Sequence, residues 1–131
     1  MVITPLYAGM LALLFLMLSW RVIQFRQHGI SLGDGGDPRM LRRMRAHGNF
    51  AEYVPFILVM MGFMEMGHTS IYVLHALGVC LLVSRILHGY ALSFTDRFRF
   101  GRTWGAALTF VVLGICAALC LLQGLRGMAV T

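Results

Sequence analysis

Long apolar segments alternate with short polar connections along the chain. The segments run over about 2–25, 40–66, 70–92 and 103–125, and each reaches the ~20 residues that an α-helix needs to cross a bilayer. A helix satisfies its backbone hydrogen bonds within the segment, whereas the strands of a membrane barrel show weaker, alternating hydrophobicity. The pattern therefore predicts an all-α membrane protein, with four transmembrane helices forming one bundle and one domain over 1–131.

The composition supports a location in the membrane. Of the 131 residues, 59% are hydrophobic and 12% are charged, whereas soluble domains carry about 25% charged residues. The net charge of +6 comes from eleven arginines, and no lysine is present. These arginines stand at the ends of apolar segments, so the pattern does not indicate a nucleic-acid-binding surface. The three cysteines lie inside apolar segments and are expected to be small core or lipid-facing side chains rather than metal ligands: Cys80, Cys116 and Cys120.

The polar connections differ in length and charge. The first is rich in glycine, the second is the short turn Gly67-His68-Thr69, and the third carries Asp96. Arginines cluster around the first and third connections: Arg26, Arg39, Arg42, Arg43, Arg45, Arg97, Arg99 and Arg102. The positive-inside rule predicts that these two connections are cytoplasmic and that both termini lie on the other side of the membrane.

A polar stripe marks the predicted cytoplasmic half of the second helix. Helical periodicity brings four residues into one quadrant of this helix: Arg42, Arg45, Asn49 and Glu52. Such groups at a membrane boundary are costly unless they pair with each other or hold a ligand. Pro55 removes one backbone hydrogen bond, so a bend that opens space beside Glu52 is expected.

Two further segments carry polar groups at the same predicted depth. Arg85 and His88 are three residues apart on the third helix, and Arg102 precedes the fourth apolar segment. Several guanidinium groups would then surround the Glu52 carboxylate and favour an anion that has carboxylates and an amine. An alternative stays open, in which Glu52 only neutralises an arginine and holds helices together.

The remaining polar residues have a structural interpretation. Arg21 and Arg26 are expected to extend to lipid head groups, although Arg21 could also add the first helix to the polar cluster. Glu65 lies near the opposite face of the membrane and is expected to be exposed. Three histidines are expected to be structural or interfacial: His47, His68 and His75.

These motifs resemble the MAPEG family, the membrane-associated proteins of eicosanoid and glutathione metabolism. The residues concerned are R-x-x-R-A-x-x-N-x-x-E-Y-x-P from Arg42 to Pro55, R-I-L-H-G-Y from Arg85 to Tyr90, and Arg102. Residues 45–56 are most similar to the small bacterial branch. The resemblance covers essentially the whole chain, and it implies a homotrimer of four-helix subunits in a bacterial inner membrane, with both termini periplasmic.

The resemblance also implies a ligand and its contacts. Glutathione would be a co-substrate that binds between neighbouring subunits near the cytoplasmic face, and a hydrophobic substrate would arrive from the bilayer. The residues that match the family's glutathione contacts are Arg42, Arg45, Asn49, Glu52, Tyr53, Arg85, His88 and Tyr90. Arg102 matches the arginine that activates the thiol, and Arg99 is the alternative. Gly48 and Leu92 depart from the pattern, because some relatives have Arg and Tyr there.

Three functions follow as hypotheses. The first is a glutathione transferase or peroxidase that acts on hydrophobic electrophiles. The second is a non-catalytic scaffold of the same fold that binds lipid or glutathione. The third is a small proton-coupled exporter, which is disfavoured because the first helix has no acidic residue and arginines surround Glu52.

Overall fold

The computed structural model describes residues 1–27, 29–30, 32–95 and 99–129. Four helices are present, and no strand occurs in these ranges, which confirms the predicted all-α bundle. The helices are α1 (Ile3–Arg26), α2 (Pro38–Met66), α3 (Ile71–Ser93) and α4 (Arg99–Met128). The first three agree with the predicted bounds to within two residues, and α4 begins four residues earlier than predicted. Asp96 and Arg97 of the third connection lie outside the described residues.

Helix α2 begins at a capped N-terminus. Asp37 Oδ1 accepts a hydrogen bond of 2.7 Å from the backbone N–H of Arg39, and Pro38 occupies the first helical position. Asp is a preferred N-cap, and proline loses nothing there because the first N–H groups of a helix have no intrahelical partner. This cap starts α2 two residues before the predicted position.

The N-terminus of α1 is capped from another helix. The backbone N–H groups of Val2, Ile3 and Thr4 all donate to the Glu65 carboxylate of α2, at 2.9 Å for Ile3 and 2.8 Å for Thr4. A carboxylate is favoured there because the first N–H groups are unpaired and carry partial positive charge. The Glu65 side chain is only 9% exposed, so the prediction that it is exposed is wrong.

Helices α3 and α4 approach each other closely at Gly105. A methyl group added there would lie 2.8 Å from the backbone nitrogen of His88 and 2.8 Å from the carbonyl oxygen of Ser84. One turn further along α4, the hydroxyl groups of Thr109 and Ser84 are 3.1 Å apart and share a hydrogen bond. This contact places Arg102, at the start of α4, beside the end of α3.

Three of the described helices are long and apolar enough to cross a membrane, and they are α1, α3 and α4. Helix α2 is less apolar over its length because its polar stripe, with Asn49 and Glu52, reaches into its middle. Its second half is apolar, and Val54, Ile57 and Met61 of that half are buried in the core. The helix that carries the predicted site is therefore also the least apolar of the four.

Candidate functional site

A cleft of about 710 Å³ opens between α2, α3 and α4, and we refer to it as the polar cleft. Its volume lies within the roughly 300–1,000 Å³ of small-molecule sites. Six of the residues predicted from the sequence line it: Arg42, Arg45, Asn49, Glu52, His88 and Arg102. The stripe on α2 thus faces one residue from α3 and one from α4, so the structure brings the predicted groups together around one space.

Arg85 is buried beside the polar cleft, with 1% of its surface exposed. Its Nη1 atom donates to Asn49 Oδ1 at 2.8 Å, whereas its Nε and Nη2 atoms are buried without a hydrogen-bond partner among the described residues. Burying a guanidinium group is costly unless its donors are satisfied. The bond from Arg85 also orients the Asn49 side chain, so its NH₂ group remains available as a donor in the polar cleft.

His88 connects α3 to the start of α4. Its Nδ1 atom lies 3.2 Å from the backbone carbonyl oxygen of Arg102. A carbonyl can only accept, so Nδ1 carries a proton and the neutral ring presents Nε2 as an acceptor. His88 therefore has two roles, because it positions the first turns of α4 and offers an acceptor atom on the wall of the polar cleft.

Glu52 supplies the negative charge on this wall, and its side chain is exposed. In the ranges that the structure describes, the ion pairs are those of the N-terminus with Glu65 and of Arg39 with Asp37. No ion pair joins Glu52 to Arg45 or Arg85. The alternative in which Glu52 only neutralises an arginine is therefore not supported, and its carboxylate is available to a cationic group of a ligand.

Comparison with known proteins decides the family. The sequence model of the MAPEG family matches residues 4–122. This chain belongs to the MAPEG family. It is 37% identical over 120 residues to Inner membrane protein YecN of Escherichia coli K12, a match that covers 86% of this chain and 90% of that protein. The same values hold for Inner membrane protein YecN of Escherichia coli O6:H1 strain CFT073. No solved structure matches the chain significantly.

Family membership and the apolar helices together identify an integral membrane protein with a four-helix bundle. The polar cleft of this MAPEG protein also includes wall residues that sequence reasoning missed, namely Leu41 and Met44. Met44 is four residues before Gly48, so helical spacing could have found it. Gly48 and Leu92, the two departures from the family pattern, both line the polar cleft and leave it wider and less polar than Arg and Tyr would.

Besides Arg85, three predicted residues are not on this wall. Tyr53 is half-buried and packs edge-on against Phe110 of α4, with 5.2 Å between ring centroids. Tyr90 is 53% exposed, because it lies two residues after His88 and so points to the other side of α3. Arg99 is exposed at the start of α4 and does not line the polar cleft. Arg102 is therefore better placed than Arg99 to meet a thiol, and the roles of the two tyrosines stay predictions.

Arg21 and Arg43 form hydrogen bonds that connect the ends of α1 and α3 with the start of α2. Arg21 Nη2 donates to the carbonyl oxygen of Ser93 at 2.8 Å, and its guanidinium carbon lies 4.2 Å from the centroid of the Phe94 ring. Arg43 Nη1 donates to the carbonyl oxygen of Arg21 at 3.1 Å. Arg21 therefore packs against the end of α3, which offers it a carbonyl group and an aromatic face, and its extension to lipid head groups stays a prediction.

Proposed function

We propose that this MAPEG protein binds glutathione in the polar cleft and uses it as a co-substrate, in transferase or peroxidase reactions on hydrophobic electrophiles. One observation carries the proposal. Glu52, whose carboxylate has no ion pair among the described residues, lies in the same wall of the polar cleft as Arg42, Arg45 and Arg102. Glutathione has two carboxylates and one ammonium group, so its charges complement this set of side chains.

The hydrogen-bond donors and acceptors of the polar cleft also match those of glutathione. Arginine grips a carboxylate with two parallel N–H groups, and α2 offers two arginines at adjacent turns. Glu52 suits the ammonium group of the γ-glutamyl residue. The Asn49 NH₂ group and His88 Nε2 supply one donor and one acceptor for the peptide bonds of the tripeptide. Each predicted contact in this set uses a residue that lines the polar cleft.

The reaction requires the thiolate form of glutathione. A free thiol has a pKa near ~8.5 and is mostly protonated at pH 7. The Arg102 guanidinium would stabilise the thiolate without a general base. The apolar wall residues Leu41, Met44 and Leu92 would meet a hydrophobic second substrate that arrives laterally from the bilayer.

The assembly and location are part of the same proposal. In a homotrimer, neighbouring subunits would complete the polar cleft, and Tyr90, which is 53% exposed, would contact a neighbour. The name of the E. coli relative supports the bacterial inner membrane as the location. The arginine distribution supports a polar cleft at the cytoplasmic face and both termini in the periplasm.

Glu52→Gln tests the ligand assignment. The substitution keeps the shape and removes the charge, so glutathione binding should weaken by roughly 1–3 kcal/mol because a charged hydrogen bond to the ammonium group is lost. Isothermal titration calorimetry in detergent measures this change. Asp34→Asn is the matched control, since Asp34 lies in the first loop and its amide replacement can still accept from Gly36 N–H. Equal affinity of wild type and Glu52→Gln would refute this role of Glu52.

A non-catalytic scaffold is the second candidate. It is favoured by Leu92, which stands on the wall of the polar cleft where several family members have a tyrosine. Both candidates bind glutathione, but only the enzyme must ionise it. The ultraviolet absorbance of the thiolate should appear when wild-type protein is saturated with glutathione at pH 7. Saturable binding without that absorbance would support the scaffold instead.

A further inference from the structure

A second cavity, of about 180 Å³, lies where the ends of α1 and α3 meet the first turns of α2, and we refer to it as the arginine cavity. Four guanidinium side chains line it: Arg21, Arg39, Arg42 and Arg43. No acidic side chain among the described residues lines it. Since like charges repel in a partly desolvated space, this arrangement is unfavourable without a counter-anion.

Among the ion pairs within the described residues, one involves these arginines. Arg39 pairs with Asp37 at 3.2 Å, and hydrogen bonds from Arg39 hold the pKa of that carboxyl below its usual value. Arg21 and Arg43 instead donate to backbone carbonyl oxygens and lie over aromatic rings, with Arg43 4.6 Å from the ring centroid of Phe25. Carbonyl groups accept hydrogen bonds and aromatic rings pack against the guanidinium groups, but neither brings net negative charge to the cavity.

Two polar atoms of residues that line the arginine cavity are buried with no hydrogen-bond partner in the part of the chain that the structure describes. Ser93 is 6% exposed, and its Oγ atom makes no hydrogen bond within the described part of the chain. The Nε atom of Arg21 is likewise buried and makes no hydrogen bond within the described residues. Buried polar groups are normally hydrogen-bonded, and an exception calls for a specific cause such as a missing ion. A hydroxyl group and a guanidinium N–H are both donors, so both would be satisfied by one oxyanion.

We propose that the arginine cavity binds a phosphate group, supplied by an anionic phospholipid head group or by free phosphate. A phosphate has several acceptor oxygens around one centre, which suits donors that arrive from α1, α2 and α3. The cavity has about a quarter of the volume of the polar cleft, so it suits a phosphate group better than a tripeptide. Bound phosphate would hold the ends of the three helices together, and this role does not depend on glutathione.

The surroundings are consistent with a lipid source. The cavity lies at the helix ends that the arginine distribution assigns to the membrane boundary. Phe94, which lines it, is 44% exposed, and Leu41 on the neighbouring turn of α2 is 45% exposed. Acyl chains would contact these apolar surfaces while the phosphate group reaches the arginines.

Binding of inorganic phosphate to the protein in detergent tests the site. Phosphate should raise the unfolding temperature of wild type, and Ser93→Ala should weaken the apparent affinity roughly tenfold or more because a hydrogen bond to a charged group is lost. Ser93→Ala removes a hydroxyl group that has no hydrogen-bond partner among the described residues, so the protein should still fold. Arg43→Gln should weaken phosphate binding at least as much, whereas Arg126→Gln, at the far end of α4, should leave it unchanged.

Native mass spectrometry with phosphatidylglycerol distinguishes the two sources. Retention of this lipid by wild type, with loss in Ser93→Ala and Arg43→Gln, would assign the site to a phospholipid head group. Stabilisation by inorganic phosphate without lipid retention would assign it to free phosphate. If neither probe separates these variants from wild type, or if Arg126→Gln loses as much binding, the proposal is wrong. Glutathione affinity measured on the same variants reports separately on the polar cleft.

Discussion

Arg102→Ala is expected to lower the rate of glutathione transfer by a factor of about 10²–10³, because removing one group that stabilises an anionic reacting centre costs that much. The thiolate absorbance at pH 7 should disappear as well. Glutathione affinity should change only a few-fold, since Arg42, Arg45 and Glu52 remain on the wall of the polar cleft. Turnover of an apolar electrophile in detergent, together with calorimetry, measures both quantities.

The structure makes this substitution informative about chemistry rather than folding. The bond from His88 reaches the backbone carbonyl oxygen of Arg102, and that oxygen is still present in alanine. Arg99→Ala is the matched control, because it removes the same charge one turn earlier in α4 and away from the polar cleft. Retained turnover in Arg102→Ala, or an equal loss in Arg99→Ala, would contradict the role assigned to Arg102.

Gly105→Leu is expected to destabilise the bundle by about 3 kcal/mol or more, the upper range for overpacking. The first atom of the new side chain would lie 2.8 Å from the His88 backbone nitrogen and the Ser84 carbonyl oxygen. Backbone atoms cannot rotate away, so α4 would have to move from α3 and lose the hydrogen bond between Ser84 and Thr109. Unfolding in detergent by heat or denaturant measures the change, and glutathione binding should fall with it.

Gly114→Leu provides the control for this prediction. It makes the same change nine residues later in α4, where an added methyl group meets nothing within 4 Å. The gain in helix propensity from glycine to leucine is up to about 1 kcal/mol, so this variant should be as stable as wild type or more stable. Equal effects of the two substitutions would show that the contact between α3 and α4 at Gly105 does not limit packing.

The sequence was sufficient to predict the bundle and most of the polar cleft. Continuous apolar segments define helices by length alone, and the spacing of Arg45, Asn49 and Glu52 depends only on helical geometry. Their convergence with His88 and Arg102 followed from placing all of them at one depth of the membrane, and the structure brings them around one space. These predictions required only the helical periodicity of each segment and the depth of each residue relative to the membrane surface.

The features that the sequence did not predict depend on contacts between distant residues. Glu65 caps α1 across 62 positions of sequence, and no local pattern indicates which N-terminus a carboxylate will reach. Arg21 bonds to Ser93 only because α1 and α3 end side by side. Tyr90 matched the family pattern, yet its place on the outer side of α3 follows from its angle relative to His88. For Glu65 and Arg21, the packing of the helices decides the partner of the side chain, whereas the place of Tyr90 follows from local helical geometry.

A structure of the protein with glutathione bound, determined in detergent or lipid, tests the central claim most directly. The account predicts that the tripeptide occupies the polar cleft, with its ammonium group at hydrogen-bonding distance from Glu52 and its carboxylates at Arg42 and Arg45. The sulfur atom should lie beside Arg102. Glutathione bound elsewhere, or a polar cleft that stays empty at saturating glutathione while its arginines point to solvent, would contradict the account.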